Sequence, residues 1–217
     1  MKYKIAIFDL DGTLLDTLQD LSISTNFALT AFGYPTRKTD EIRRFVGNGI
    51  ERLIAQAVPE QTSAENCRQV LALFKEHYSV HCEDHTAPYD GIMQLLDNLI
   101  AKGIPIAVVS NKIDSAVKVL CEKYFGNRIS VAIGEREGVR RKPYPDSVFE
   151  VLSYMRISPS DAVYIGDSEV DIQTAKNAAT DVIAVTWGFR DRGTLSLSGA
   201  TVFADSANQL ESMLIWQ

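Results

Sequence analysis

The chain has 217 residues, 46% of them hydrophobic, and a formal net charge of −6. That length suits one large domain, or a domain carrying an insertion, with room for a real core. The acidic balance argues against nucleic acid as a main partner, although a local cluster of lysine, amides and metal can still hold an anion.

Taken in chain order, "YKIAIFDL" opens as a nearly unbroken apolar run. This predicts a strand buried on both faces, as in a parallel sheet. Two carboxylates, Asp9 and Asp11, follow one residue apart, then Gly12 and Thr13. From Asp16 to Cys82 the pattern turns helical. "DTLQDLSISTNFALTAFG", "TDEIRRF", "IERLIAQAV" and "AENCRQVLALFKEHYSV" each read as a helix, with the glycine-flanked turn "VGNG" between the second and third. Thereafter strands alternate with helices. The strands are "IPIAVVS", "RISVAIG", "DAVYIGD" and "DVIAVTWG"; the helices are "GIMQLLDNLIAKG", "IDSAVKVLCEKYFG", "PDSVFEVLSYMRI" and "EVDIQTAKNAAT". "RDRGTLSLSGATVFADSANQL" reads as loop, a last short strand and a closing helix, and Trp187 and Phe189 as packing or loop-anchoring residues. The expected fold is α/β: a doubly wound, Rossmann-like parallel-sheet core, residues 1–15 and 83–217, with an all-helical insertion, 16–82. Inserted straight after the first strand, those helices are expected near the carboxyl edge of the sheet, where open α/β sheets bind ligands.

The strand ends share a chemistry. Asp9 and Asp11 close the first strand, and Ser110, Asn111 and Lys112 the second. Lys142 precedes a helix in "RRKPYPD", and Asp167 and Asp171 lie in "GDSEVD". Carboxylates crowded at one edge repel unless a cation neutralises them, and hard oxygen ligands suit Mg²⁺. A lysine and a hydroxyl beside that metal suit a phosphate, and Gly12 lets backbone approach it closely. An aspartate can itself be the nucleophile, with a second carboxyl protonating the leaving oxygen. Each piece alone has a bland reading, as turn residue, helix cap or solvated lysine; all four in this order point to phosphoryl chemistry.

"DLDGT", "VVSNK", "RRKPYPD" and "GDSEVD" together resemble the four motifs of the haloacid dehalogenase-like hydrolases, mostly Mg²⁺-dependent phosphatases, and the resemblance covers the whole chain. It implies Asp9 as nucleophile, passing through an aspartyl-phosphate, and Asp11 as general acid and base. Ser110, with Gly12 and Asn111, would bind phosphate, and Lys142 would steady the nucleophile and the transferring group. Asp167 would hold Mg²⁺ with the Asp9 carboxylate and the Asp11 carbonyl, and Asp171 through the metal's water shell. The insertion resembles the cap of one branch, and "FVGNGIERL", "GEREGVRRKPYPD" and "GDSEVDIQTAKNA" resemble phosphoglycolate phosphatases. Arg44, Gly47, Asn48 and Arg52 would then face the substrate, although the arginines also read as a solvated helix face.

Pyrophosphatase, nucleotide phosphatase and sugar phosphatase activities stay open on the same fold. A dehalogenase has no need of Asp11, and a phosphonate hydrolase needs a cap lysine of which Lys38 and Lys75 give no sign. A sugar-phosphate mutase would need cap groups for a hexose phosphate, and none can be picked out. A non-enzymatic phosphoacceptor domain would be much shorter and capless. The expected partner is a small phosphorylated metabolite, without nucleic acid or membrane. No signal-peptide-like run and three widely spaced cysteines lead us to expect reduced thiols in the cytoplasm.

Overall fold

The computed structural model describes residues 2–215. In chain order the elements are β1 (Ile5–Phe8), β2 (Leu15–Asp16), α1 (Leu18–Ala31), α2 (Thr39–Phe45), α3 (Ile50–Ala57), α4 (Ala64–His81) and β3 (Ala87–Pro88). There follow α5 (Ile92–Ala101), β4 (Ile106–Ile113), α6 (Asp114–Phe125), β5 (Val131–Glu135), α7 (Asp146–Met155) and β6 (Ala162–Gly166). The chain closes with α8 (Glu169–Ala178), β7 (Asp181–Val185), α9 (Arg192–Leu197), β8 (Phe203–Ala204) and α10 (Ala207–Ile215). They fall into two compact units. One runs to Leu15 and resumes at Pro88; the other is Asp16–Ala87.

The first unit is built on a parallel six-stranded sheet in the order β5-β4-β1-β6-β7-β8. β1 is central and every residue in it is buried. Side chains alternate across a strand, so its two faces feed two cores. Ala6 and Phe8 pack with Ile92 and Leu96 of α5, Val117 and Leu120 of α6, and Leu210 of α10. Ile5 and Ile7 pack with Val148 and Val151 of α7 and Ala175 and Ala178 of α8. This two-sided burial accounts for the unbroken apolar run in the sequence. α9 occupies part of a stretch that reads as loop. Asp191 caps it by accepting from the Thr194 amide at 2.8 Å, and Leu195 anchors it in the core.

The second unit is the four helices α1–α4. The expected end of the insertion was Cys82; this unit runs on to Ala87. Asp20, 1% exposed, explains the extension. Its carboxylate accepts from the amides of His85 (3.0 Å) and Thr86 (2.9 Å) and from Thr86 Oγ1 (2.9 Å), with His85 Nδ1 at 2.8 Å. The last residues of the insertion are thereby tied to its first helix. Burial works against this charge, but the donors from His85 and Thr86 outweigh it and hold the carboxyl below its usual range. The folded form therefore binds a proton less readily than the unfolded one. The stabilisation is complete above about pH 4 and drains away as pH falls through the folded value. Asp20→Asn should cost about 2–3 kcal/mol at pH 7, read by urea unfolding. The gap between variant and wild type should shrink towards pH 3; a pH-independent gap would mean the charge is not what matters.

Among the described residues, no helix is long and apolar enough to cross a membrane. The three cysteines are free thiols. Burial, with a smaller push from Asp11, raises the Cys121 thiol to about 12, which leaves it protonated and unreactive.

Candidate active site

The parallel sheet brings three segments from distant parts of the sequence to the carboxyl ends of β1, β4 and β6. Asp9 follows β1, its amide bonded to the Ile165 carbonyl of β6 at 2.9 Å. Ser110, Asn111 and Lys112 lie buried towards the end of β4, just before Ile113. Asp167 follows β6, and Asp171 sits in the first turn of α8. Lys142 comes from the loop between β5 and α7.

Asp9, Asp167 and Asp171 are buried, and each offers an oxygen within 4.8 Å of the others. Lys142 lies among them, 4% exposed, with Nζ 2.7 Å from Asp171 Oδ1 and 2.9 Å from Asp9 Oδ1. Its backbone carbonyl accepts from Asn111 Nδ2 at 3.1 Å, which pins the lysine loop to β4. Asp167 is gripped by Thr13 Oγ1 (3.2 Å) and the Phe189 amide (2.7 Å). Asp171 takes Ser168 Oγ (2.6 Å) and the Ser168 amide (3.1 Å), a capping box that fixes the start of α8.

Asp11 does not join the acidic trio. Its carboxylate pairs with Lys112, whose Nζ is 3.0 Å from Oδ1 and 3.4 Å from Oδ2. The two residues at i and i+2 therefore serve different partners, although both stand at one strand end. Ser110 Oγ accepts from the Lys112 amide at 3.3 Å. Gly12 contributes chiefly by what it lacks. Its amide donates to the Leu15 carbonyl at 2.8 Å, its φ is +88°, and a Cβ would lie 2.4 Å from Asp167 Oδ2. Gly188 is as tightly placed: a Cβ there would stand 2.3 Å from the Gly12 carbonyl oxygen. The Trp187 indole N–H donates to the Thr13 carbonyl at 3.1 Å, so this residue does anchor a loop, the one carrying Gly12.

The electrostatics follow from the crowding. Burial drives the Asp9 carboxyl up and Asp171 adds repulsion; with Lys142 pulling the other way it settles at about 7. Asp167 is held well above the carboxylate range, by burial first and then by Asp171 and Asp9. Burial works against the Lys142 ammonium, but Asp171 and Asp9 outweigh it, and its proton is held well beyond the ordinary range. With all three carboxylates ionised beside one ammonium, two negative charges would stand uncompensated. Asp9 Oδ1 is also buried without an aligned hydrogen bond, despite its ion-pair contact with Lys142. An unfilled oxygen, all-oxygen donors and that charge deficit together fit a small divalent cation such as Mg²⁺.

Arg44 lies on α2, Gly47 and Asn48 in the following turn, and Arg52 on α3. All four belong to the helical unit; both arginines are exposed and Gly47 and Asn48 half-buried. Several site residues were not assigned from sequence. Thr13 and Ser168 stand beside motif aspartates, and that adjacency was the available signal. Lys112 ends a quoted motif, but nothing in the sequence pairs it with Asp11. Tyr164 lies inside an apolar strand run and reads as core.

A family model described as haloacid dehalogenase-like hydrolase matches residues 6–185. The phosphoglycolate phosphatase of Shigella boydii serotype 4 is 32% identical, over 94% of this chain and 89% of its own length. Phosphoglycolate phosphatase 1 of Pseudomonas aeruginosa is 30% identical, over 95% and 78%. Among solved structures, a protein of Lactobacillus delbrueckii subsp. bulgaricus superposes with a TM-score of 0.95 at 39% identity, over 100% of both chains; its own assignment as a phosphoglycolate phosphatase is provisional. A match of this extent settles the kinship: the chain belongs to the haloacid dehalogenase-like hydrolases, and its relatives mark it as a phosphatase among them.

Proposed function

We propose that the chain hydrolyses phosphate monoesters through an aspartyl-phosphate on Asp9, with Mg²⁺, and that phosphoglycolate is its foremost substrate. One observation carries the chemistry. A buried aspartate, directly after the central strand, keeps an oxygen free of aligned hydrogen bonds beside a buried ammonium. The substrate rests on the relatives called phosphoglycolate phosphatases.

In the first step an Asp9 oxygen attacks phosphorus, and the bond from phosphorus to the leaving oxygen breaks. Asp11 gives its proton to that oxygen. In the second step Asp11 takes a proton from water, the water oxygen attacks phosphorus, and the bond to Asp9 breaks, releasing phosphate. For this Asp11 must exchange its contact with Lys112 for one with the substrate. Ser110 and Asn111 supply donors to the phosphoryl oxygens, and Lys142 balances charge on Asp9 and on the transferring group. Mg²⁺, held by Asp9, Asp167 and the Asp11 carbonyl with Asp171 in support, would neutralise charge on the phosphoryl group. Arg44, Gly47, Asn48 and Arg52 are our candidates for reading the rest of the substrate, a role that suits their carboxylate-matching donors. A small phosphorylated metabolite in the cytoplasm is the partner this reading requires.

The test is phosphate release with Mg²⁺ from phosphoglycolate, p-nitrophenyl phosphate, pyrophosphate, nucleoside monophosphates and sugar phosphates. The expected result is a kcat/KM for phosphoglycolate at least about 100-fold above the others, the size of discrimination that a few placed polar contacts supply. Comparable low activity on every ester would retire the substrate and keep the chemistry. Release from none would retire both.

A further inference from the structure

Tyr164 is fully buried in β6, with its ring in the core formed by Ile5, Ile7 and Val109. A phenol there needs partners for its hydroxyl, and it has two. The oxygen is 2.9 Å from the Val109 carbonyl of β4 and 3.1 Å from Lys142 Nζ. A carbonyl can only accept, so the single phenolic proton is committed to Val109. Towards Lys142, which has donors alone, the phenol can only offer a lone pair. A buried ammonium has three N–H bonds to place. One goes to Asp171 Oδ1 and one to Tyr164, and one remains on the side of Asp9 Oδ1, 2.9 Å away. Were Tyr164 absent, the ammonium could turn its spare proton away from Asp9 and lean fully onto Asp171, its nearer carboxylate.

We infer that Tyr164 is a positioning residue: clamped by the Val109 carbonyl, it fixes the rotation of the Lys142 ammonium so that one N–H is held on the side of the nucleophile, ready for the incoming phosphoryl oxygens. The inference rests on the proposed hydrolysis for its kinetic consequence, but not for the hydrogen bond itself. A neutral acceptor suits the task. It orients the ammonium without adding a fourth carboxylate to a site already crowded with negative charge. Phenylalanine would fill nearly the same volume and leave both the ammonium proton now given to Tyr164 and the Val109 carbonyl without this partner.

Two readouts test this. In Tyr164→Phe, kcat for p-nitrophenyl phosphate should fall about 10- to 100-fold, the usual effect of losing an outer partner of a catalytic group, with KM changed less than about threefold. Replacing Tyr164 by 4-aminophenylalanine, which keeps a donor for Val109 and a lone pair for Lys142, should restore part of the rate. Independently of turnover, ¹⁵N-lysine spectra should show a slowly exchanging Lys142 ammonium signal, assigned by its loss in Lys142→Arg. That signal should broaden or vanish in Tyr164→Phe. A kcat within about twofold of wild type, or an unaltered ammonium signal, would overturn the inference. So would a loss of rate that 4-aminophenylalanine leaves untouched, which marks a purely structural role. If Tyr164→Phe does not fold, 4-methylphenylalanine, which fills the place of the hydroxyl without donor or lone pair, decides in its stead: a kcat reduced about 10-fold or more at constant KM supports the inference, and wild-type kcat with an unaltered signal overturns it. If the wild type releases phosphate from no ester, the functional reading fails while the ammonium signal still decides the hydrogen bond.

Discussion

Asp9→Asn should abolish phosphate release and leave the fold standing. Loss of a nucleophile from a constellation that works as a unit removes most of its rate advantage, so kcat should drop by about 10⁴-fold or more on every ester tested. The fold should survive because Asn has the same shape and the Asp9 amide bond to Ile165 is backbone. The free protein should even gain stability. The site holds three carboxylates against one ammonium, and the substitution removes one of the charges that repel. Lys142 keeps its shorter contact with Asp171. The expected pattern is an inactive variant that melts above the wild type when both are free of divalent cation. Near-normal turnover would remove Asp9 from the role of nucleophile. Lower stability together with lost activity would mean that the carboxylate is a structural partner of Lys142 first and a reagent second.

That pattern also shows why the sequence was legible where it was. Sheet topology follows from composition and period: a central strand buried on both faces has to be apolar throughout, and β1 is. Parallel order then delivers the ends of β1, β4 and β6 to one edge, and the motif aspartates with them. What could not be read was pairing between polar side chains. Asp20 looks like an ordinary first-turn acid of a helix; only the path of the chain from α4 brings His85 and Thr86 onto it. Tyr164 looks like core because its ring is core; its hydroxyl acquires partners through the β1–β6 and β1–β4 pairings that line up Ile7 with both Tyr164 and Ala107. Asp11 and Asp9 illustrate the same limit. Their spacing puts them at one strand end, yet which ammonium each meets depends on two lysines far along the chain. Short elements were missed for a related reason. β2 and β3 have two residues each, too few for any periodicity, and exist only because a neighbour supplies the hydrogen bonds.

Adding Mg²⁺ should stabilise the wild-type protein by about 2.7 kcal/mol at a concentration one hundred times its dissociation constant. For a chain of this size that is a rise in Tm of about 5–10 °C over a sample stripped with EDTA. The size of the effect comes from where the charge deficit sits. The negative charge that the three carboxylates carry when ionised sits in a buried cluster, where water and salt screen little of it. A cation that binds only the folded arrangement returns its whole binding energy as stability, because the unfolded chain scatters Asp9, Asp167 and Asp171. The carboxylates are also set in advance, Asp167 by Thr13 and the Phe189 amide and Asp171 by Ser168, so little ordering opposes binding. Sodium chloride at equal ionic strength should reproduce almost none of the rise, which separates coordination from screening. Asp167→Asn should raise the melting temperature of the stripped protein and erase most of the Mg²⁺ response. If Mg²⁺ and sodium chloride act alike, or if Asp167→Asn keeps the full response, the cluster is not the cation site. The charge deficit must then be met by protons on Asp9 and Asp167, and a carboxyl that must stay protonated to be buried cannot serve as the resting nucleophile.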